Sequence, residues 1–157
     1  MKFNYTIRKL TKKHLENPQQ RRDFFNTLKN LRQVGSLTQT DAKRILTKIN
    51  SQNGHIFIAQ TYDEQIIGTV TLLIEQKFIQ RGGKCGHIED VSIMKGCEKR
   101  GVGSALVKKA VAAAIKSGCY KVILDCSDFN LPFYKNLGFY RYENHMKFDL
   151  NKKLKKK

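Results

Sequence analysis

The stretch from Cys85 to Cys126 constrains this chain most. Residues 85–94 read as a strand, with Ile88, Val91 and Ile93 among the apolar positions. From Gly101 to Ser117 runs the strongest helix signal: Val102, Ala105, Leu106, Ala110, Ala113 and Ala114 share one broad apolar face. Gly118 closes that helix, and residues 120–126 form a short, nearly continuous apolar run of the kind buried inside a sheet. A strand, a glycine-bearing turn, an amphipathic helix and a buried strand bury their apolar faces only as helix layered on sheet. The fold class is α/β.

The flanking segments extend that pattern. Residues 3–10 place Phe3, Tyr5 and Ile7 at every second position, the period of a half-buried strand. Thr11 or Asn17 caps a helical stretch, Pro18 suits its first turn, and Phe24, Phe25, Leu28 and Leu31 recur at helical steps through Arg32. After Gly35, Thr38 or Thr40 caps a second helix bearing Ile45, Leu46 and Ile49, which stops at Asn53-Gly54. Residues 55–61 and 66–79 are strands joined by Tyr62-Asp63-Glu64-Gln65 into a hairpin. Beyond the Cys126 strand, residues 130–137 make a short helix ending at Gly138, and 139–150 a last strand. The order is β-α-α-β-β-β-α-β-α-β without internal repeat or linker. One domain is expected over 1–150, followed by a basic tail, 151–157.

Composition removes several classes. A 157-residue chain that is 40% hydrophobic buries an adequate core without metal or disulfide staples. No apolar run approaches the roughly 18 residues of a membrane span, and the opening MKFNYTIRKL lacks the apolar centre of a secretory signal. A cytoplasmic protein is the expectation. The four cysteines, at 85, 97, 119 and 126, form no C-x-x-C and have no paired histidines, so reduced structural thiols are expected and no metal. The net charge is +17, and removing the five tail lysines still leaves +12. Such a field suits a polyanion or a small phosphorylated ligand, and charge alone does not choose between them.

The chemistry concentrates where the strand of 85–94 runs into the long helix. The first-turn N–H groups of a helix lack internal partners and carry roughly half a positive charge. Glycines at 101 and 103 let backbone amides approach an anion, and Lys99 and Arg100 add charge. The segment is neither a P-loop nor a G-x-G-x-x-G fingerprint, since Leu106 stands where that fingerprint needs glycine.

R-G-V-G-S-A-L at 100–106, followed by G-C-Y-K-V-I-L-D-C and N-x-x-F-Y-K-N-L-G-F, resembles the coenzyme A-binding half of the GNAT acetyltransferase superfamily. With G-H-I-E-D-V (86–91), E-Q-K-F-I (75–79) and V-G-S-L-T (34–38), the likeness is to the glucosamine 6-phosphate N-acetyltransferase family and spans nearly the whole chain. The resemblance implies a single domain on a central mixed, mostly antiparallel sheet. It implies direct acetyl transfer from acetyl-CoA to the 2-amino group of glucosamine 6-phosphate, without an acyl-enzyme, as a step toward UDP-N-acetylglucosamine.

Carried over by position, backbone amides at Val91, Ser92 and Ile93 would bind the acetyl and pantetheine portion. Glu98, Lys99, Arg100, Gly101, Val102, Gly103 and Ser104 would hold the pyrophosphate, with Asn130 and Tyr134 facing the cofactor. Glu89, Asp90 and Asp125 would line the amine pocket as catalytic groups, together with Tyr134 near the sulfur. Arg32, Lys77, Phe78, Ile79 and Gln80 would contact the sugar phosphate. A homodimer is also implied, with final strands and substrate pockets meeting at the subunit boundary.

An attacking amine must lose a proton, which a carboxylate such as Glu89 or Asp90 with a water accepts. A developing oxyanion needs fixed donors, and strand amides freed by a splay or bulge supply them. Tyrosine, with its pKa near 10, cannot pass its proton downhill to a thiolate, so a stabilising hydrogen bond is the expected role of Tyr134. Read without the resemblance, Tyr134 is a core aromatic, Asp125 a turn cap, and His87 a strand histidine with its partner satisfied. Two departures stand out. Glu98 puts a carboxylate where the superfamily usually has arginine or glutamine, and Asp149 stands where the family places an arginine. Lys147, on the same strand face as Asp149, is the nearest positional substitute. Two other readings remain: acetylation of a protein or another small amine, and a non-catalytic nucleic-acid-binding module. The second is disfavoured because the basic run is confined to the tail rather than interleaved with aromatics.

Overall fold

Three helix caps lay out the N-terminal part of the fold. Strand β1 (Tyr5–Lys9) leads to Thr11, whose backbone N–H donates to His14 Nδ1 at 3.0 Å and opens α1 (Lys12–Glu16). Asn17 Oδ1 accepts the Gln19 and Gln20 N–H groups and opens α2 (Pro18–Lys29), with Pro18 in the first turn. Both candidate caps are therefore used, and the one expected helix is two. Thr38, rather than Thr40, opens α3 (Gln39–Ser51), pairing reciprocally with Asp41. The computed structural model describes residues 4–148 and Leu150, in two compact units divided at Leu124 and Asp125.

The first unit holds a five-stranded sheet in the order β1-β2-β3-β4-β5. After β2 (His55–Thr61) and β3 (Ile66–Gln76), the short turn α4 (Ile79–Gly82) leads into β4 (Lys84–Ile93). The helix α5 (Val102–Lys116) then crosses to β5 (Cys119–Leu124). All pairings are antiparallel except β4 with β5. The mixed, mostly antiparallel sheet is as expected.

Strand alternation sorts the core onto two faces. Ile56, Ile58 and Ile66 pack with Leu10, Leu15, Phe24, Ala42 and Leu46 on the α1–α3 side. The ring of Phe57, which lies between Ile56 and Ile58, sits under the Lys109 ammonium of α5 on the other side. Val102, Leu106, Val107, Ala110 and Ala114 bury the long helix there. Gly68 permits this approach: a Cβ on it would lie 2.9 Å from Ile93 Cδ1 and 3.0 Å from Leu106 Cδ1. Burying a side chain such as Leu106 contributes about 1.5–3 kcal/mol, so this contact anchors the start of α5 beside the end of β4.

Two expected strands are corrected. The strand expected over 66–79 ends at Gln76, because the chain turns through α4 with Gln80, Arg81 and Gly82 all at positive φ (53°, 56° and 74°). Left-handed backbone costs roughly 1–2 kcal/mol per non-glycine residue, a strain that side-chain pattern does not announce. The last strand, expected over 139–150, is not formed by residues 139–148. A strand needs a neighbouring strand for its backbone groups, and among the described residues the regular elements of the second unit are a 3₁₀ turn (Asp128–Asn130) and α6 (Leu131–Lys135). Tyr140, Tyr142, Met146 and Phe148 are exposed. Phe3, Asp149 and the tail 151–157 lie outside the described residues. The four cysteines are free thiols, and burial pushes the pKa of each upward.

Candidate active site

β4 changes character halfway along. Its pairing with β5 runs from Lys84 opposite Cys119 to Ile88 opposite Leu124 and stops there. On the other side the pairing with β3 continues to Ile93, interrupted once. Thr71 faces Glu89 and Thr69 faces Ser92, so Val70 alone lies opposite both Asp90 and Val91. That is a β-bulge, and Asp90 takes the left-handed conformation at φ 51° to make it. One consequence is that Glu89 and Asp90 are both exposed, where a regular strand would send them to opposite faces.

Register fixes the backbone direction beyond the bulge. The Met94 N–H bonds the Ile67 carbonyl at 2.8 Å, so antiparallel alternation turns the N–H and C=O groups of Ile93 and Val91 away from β3. They form an outer edge that β5 does not reach. Asp90 sits at its start. Although its side chain is exposed to solvent, the protein packed around the carboxyl desolvates it and raises its pKa above the usual aspartate value. A carboxylate shifted this way is a better proton acceptor.

The turn after β4 bends through Gly96 (φ 88°), Lys99 (φ 58°) and Gly101 (φ 80°) into α5. No side chain among the described residues caps that helix, which leaves the Val102, Gly103 and Ser104 amides at a bare N-terminus. Glu98 bends back within the turn, its Oε2 accepting the Gly96 N–H at 2.7 Å. Its carboxylate is thereby engaged locally, beside Lys99 and Arg100.

The segment expected to read a phosphate is strained and exposed. Lys77 pairs with Glu75 Oε1, and His87 Nε2 lies 2.8 Å from Glu75 Oε2. Hydrogen bonds from Lys77 and His87 hold the Glu75 carboxyl below its usual pKa, and Glu75 in turn raises that of Lys77. His87 is thus the partnered strand histidine expected. Phe78 and Ile79 project into solvent ahead of the left-handed turn at Gln80. Arg32 follows α2 in the same unit, its N–H bonded to the Leu28 carbonyl at 3.2 Å.

In the second unit, Tyr134 of α6 is buried, with its ring edge-on to Phe133 and Phe139. Burial, and secondarily the Cys126 thiol, push its pKa up to about 12. Tyr134 therefore stays protonated at neutral pH. Asp125 Oδ2 lies 3.0 Å from His145 Nδ1. Asn130 ends the 3₁₀ turn before α6, and Lys147 is exposed in the irregular stretch.

A profile of the acetyltransferase (GNAT) family matches residues 19–139, from α2 through the turn after α6. This chain belongs to the GNAT acetyltransferase family. Among the most similar GNAT relatives is the glucosamine 6-phosphate N-acetyltransferase of Candida albicans, 34% identical over 137 residues, 86% of this chain and 89% of that one. The enzyme of the same name from Trypanosoma brucei brucei is 43% identical over 86 residues, which are 55% of this chain and 58% of that one. The crystal structure of glucosamine-6-phosphate N-acetyltransferase from Arabidopsis thaliana superposes with a TM-score of 0.86 at 30% identity. That match covers 94% of this chain and 99% of the other.

Within this GNAT domain the first unit brings Glu89, Asp90 and the Val91–Ser92–Ile93 backbone onto one strand end that feeds the Glu98–Ser104 turn. Sequence reading missed the residues of α2 that hold this end. Ser92 Oγ donates to the Thr27 carbonyl, and Asn30 Nδ2 donates to the Ile93 carbonyl at 2.8 Å. Asn30 is 63 positions from its partner, and an asparagine at a helix end carries no signal of such a contact.

Proposed function

We propose that this chain transfers the acetyl group of acetyl-CoA to the 2-amino group of D-glucosamine 6-phosphate. The products are N-acetyl-D-glucosamine 6-phosphate and CoA, on the way to UDP-N-acetylglucosamine. The observation that carries this reading is the chain-long likeness to enzymes named for that reaction, which takes in acceptor-side and cofactor-side segments alike.

The open edge of β4 fits an extended, amide-bearing arm such as pantetheine. Outward N–H and C=O groups at Val91 and Ile93 are what a strand-like ligand pairs with. The bare N-terminus of α5, with Lys99 and Arg100 beside it, fits a pyrophosphate. Acetyl-CoA supplies an acetyl group already activated as a thioester. Glu89 and Asp90 accept the proton that the sugar ammonium must lose before the amine attacks, directly or through a water. Amides freed at the bulge donate to the carbonyl oxygen as negative charge develops on it. Tyr134 donates a hydrogen bond to the departing sulfur and keeps its own proton; as the C–S bond breaks, the nitrogen sheds its second proton, which reaches the CoA thiolate through water. Arg32, Lys77 and Lys147 supply charge-assisted donors for the sugar phosphate. Asp125 lines the amine pocket, and Asn130 faces the cofactor.

The working unit in this reading is a homodimer. Tyr140, Tyr142, Met146 and Phe148 expose apolar surface on a segment with strand character in its sequence, and a second copy of the chain would cover that surface. A hydrodynamic mass of one subunit at micromolar concentration would contradict it.

The reading is tested by following thiol release from acetyl-CoA with glucosamine 6-phosphate, glucosamine and a lysine peptide in parallel. Turnover strongly favouring the phosphorylated sugar is expected. Turnover on the peptide alone would move the assignment to a protein acetyltransferase, and none with any amine would remove catalysis.

A further inference from the structure

The outward carbonyl of Ile93 is the last acceptor on the open edge of β4, and α2 already reaches it. Asn30 Nδ2 donates to it at 2.8 Å. Asn30 also sits in the final turn of α2, where the Asn30 N–H bonds the Thr27 carbonyl, and Leu31 and Arg32 N–H both bond the Leu28 carbonyl. One short turn therefore carries two things: a side chain fixed to the cofactor edge, and Arg32, assigned above to the sugar phosphate. A carbonyl oxygen has two lone pairs, so Ile93 accepts from Asn30 and still has capacity for a ligand amide. A second α2–β4 tie, from Ser92 Oγ to the Thr27 carbonyl, is buried and involves no edge group.

We infer that Asn30 is a positioning residue that couples the two substrate sites, fixing the acceptor-side turn of residues 30–32 to the cofactor-pairing edge of β4. This rests on the assignment of acetyl-CoA and glucosamine 6-phosphate made above. A ligand pairing along the edge holds the Ile93 carbonyl still, which holds Asn30 and with it the turn bearing Arg32. A phosphate held by Arg32 does the reverse. Ordering shared by two ligands is ordering that the second ligand does not have to repeat, so each tightens the other, and by the same factor.

The test is a binding cycle with CoA, which cannot react, and glucosamine 6-phosphate. The affinity for the sugar is measured by calorimetry with and without saturating CoA, in the wild type and in Asn30→Ala, Asn30→Asp and Asn30→Gln. The wild type should bind the sugar about 3- to 10-fold more tightly with CoA present, the range one hydrogen bond supports. Asn30→Ala and Asn30→Asp, which cannot donate to a carbonyl at neutral pH, should bring that ratio to one. Asn30→Gln, which keeps the donor on a longer arm, should restore part of it. Leu28→Ala serves as the structural control, since the Leu28 side chain packs against the hydrophobic core. It should lower the thermal midpoint and leave the ratio unchanged.

A coupling ratio that survives in Asn30→Ala, or that Leu28→Ala abolishes equally, would overturn the inference. So would a wild type that turns over the sugar with no coupling between CoA and sugar. Failure of the functional assignment itself looks different: the wild type would show no turnover of glucosamine 6-phosphate at all. Should Asn30→Ala not fold, Asn30→Asp and Asn30→Gln still separate loss of the donor from its retention.

Discussion

The two halves of β4 belong to one continuous strand and end in different states. Residues 84–88 pair with β3 on one side and β5 on the other, and Cys85, Gly86 and Ile88 are buried. Residues 89–93 pair with β3 alone, begin at a bulge, and expose two adjacent carboxylates. A strand bonded on both edges gives its backbone groups to stability. A strand with one open edge leaves polar groups that only water or a ligand satisfies. The reactive half of β4 thus arises by withdrawal of a neighbour more than by any special residue type.

The largest effect is expected in the open half. Glu89→Gln and Asp90→Asn should each lower kcat by about 10²–10⁴-fold, the range for loss of a proton acceptor. For Asp90 the sign on stability is opposite to that on activity. Burial raises its folded pKa, so the fold disfavours the charged form. That penalty is absent below the ordinary aspartate range, where folded and unfolded chains are both protonated; it grows as pH rises from the ordinary value to the folded one and is constant above that. Asp90→Asn should therefore raise the midpoint at neutral pH, with the gain vanishing in acid. A lower midpoint at pH 7 would show that Asp90 stabilises the bulge after all.

Tyr134 comes next. Tyr134→Phe removes only a hydroxyl held protonated by burial, and should leave acetyl-CoA affinity near wild type while kcat falls about 10²-fold. Unchanged single-turnover chemistry would take Tyr134 out of the reaction.

The closed half should behave in the opposite manner. A Cβ on Gly86 would lie 3.2 Å from the Ala114 Cβ and 3.3 Å from Leu72 Cδ1. Gly86→Val should cost about 1–3 kcal/mol of stability through overpacking, read by denaturant melts, while the folded fraction keeps wild-type KM values. A selective loss of acetyl-CoA affinity would erase the distinction between the halves. The smallest effect concerns the acceptor side: Lys77→Ala should raise KM for glucosamine 6-phosphate about tenfold and leave KM for acetyl-CoA unchanged. Arg32→Ala and Lys147→Ala should do the same more weakly. Equal losses on glucosamine and its phosphate would mean that these cations support the fold.

Much of the scaffold is legible from residues alone, because periodicity and caps are local signals. Thr11, Asn17 and Thr38 each open a helix, and the long apolar face of α5 identifies the crossover. Gly101 also announces its own positive φ. What stays hidden is what depends on distant partners or on strained residues with no glycine to mark them. Gln80, Arg81 and Asp90 adopt left-handed backbone without any compositional sign. The alternation in residues 139–148 reads as a strand although those residues take no strand conformation. At the site, the carboxylate pair and the turn could be named in advance. A bulge is expected in kind, but its place at Asp90 and the Asn30 tether could not be named, since both are set by register across separate elements.

The account stands or falls on whether the open edge is what acetyl-CoA pairs with. Residue-resolved amide hydrogen exchange through an acetyl-CoA titration reads this directly. The Val91 and Ile93 amides, which point away from β3, should exchange fast in the free protein and become protected as the ligand saturates. The amides of residues 85–88, already inside a bonded ladder, should not change. Saturable binding of acetyl-CoA with Val91 and Ile93 exchanging as before would contradict the account.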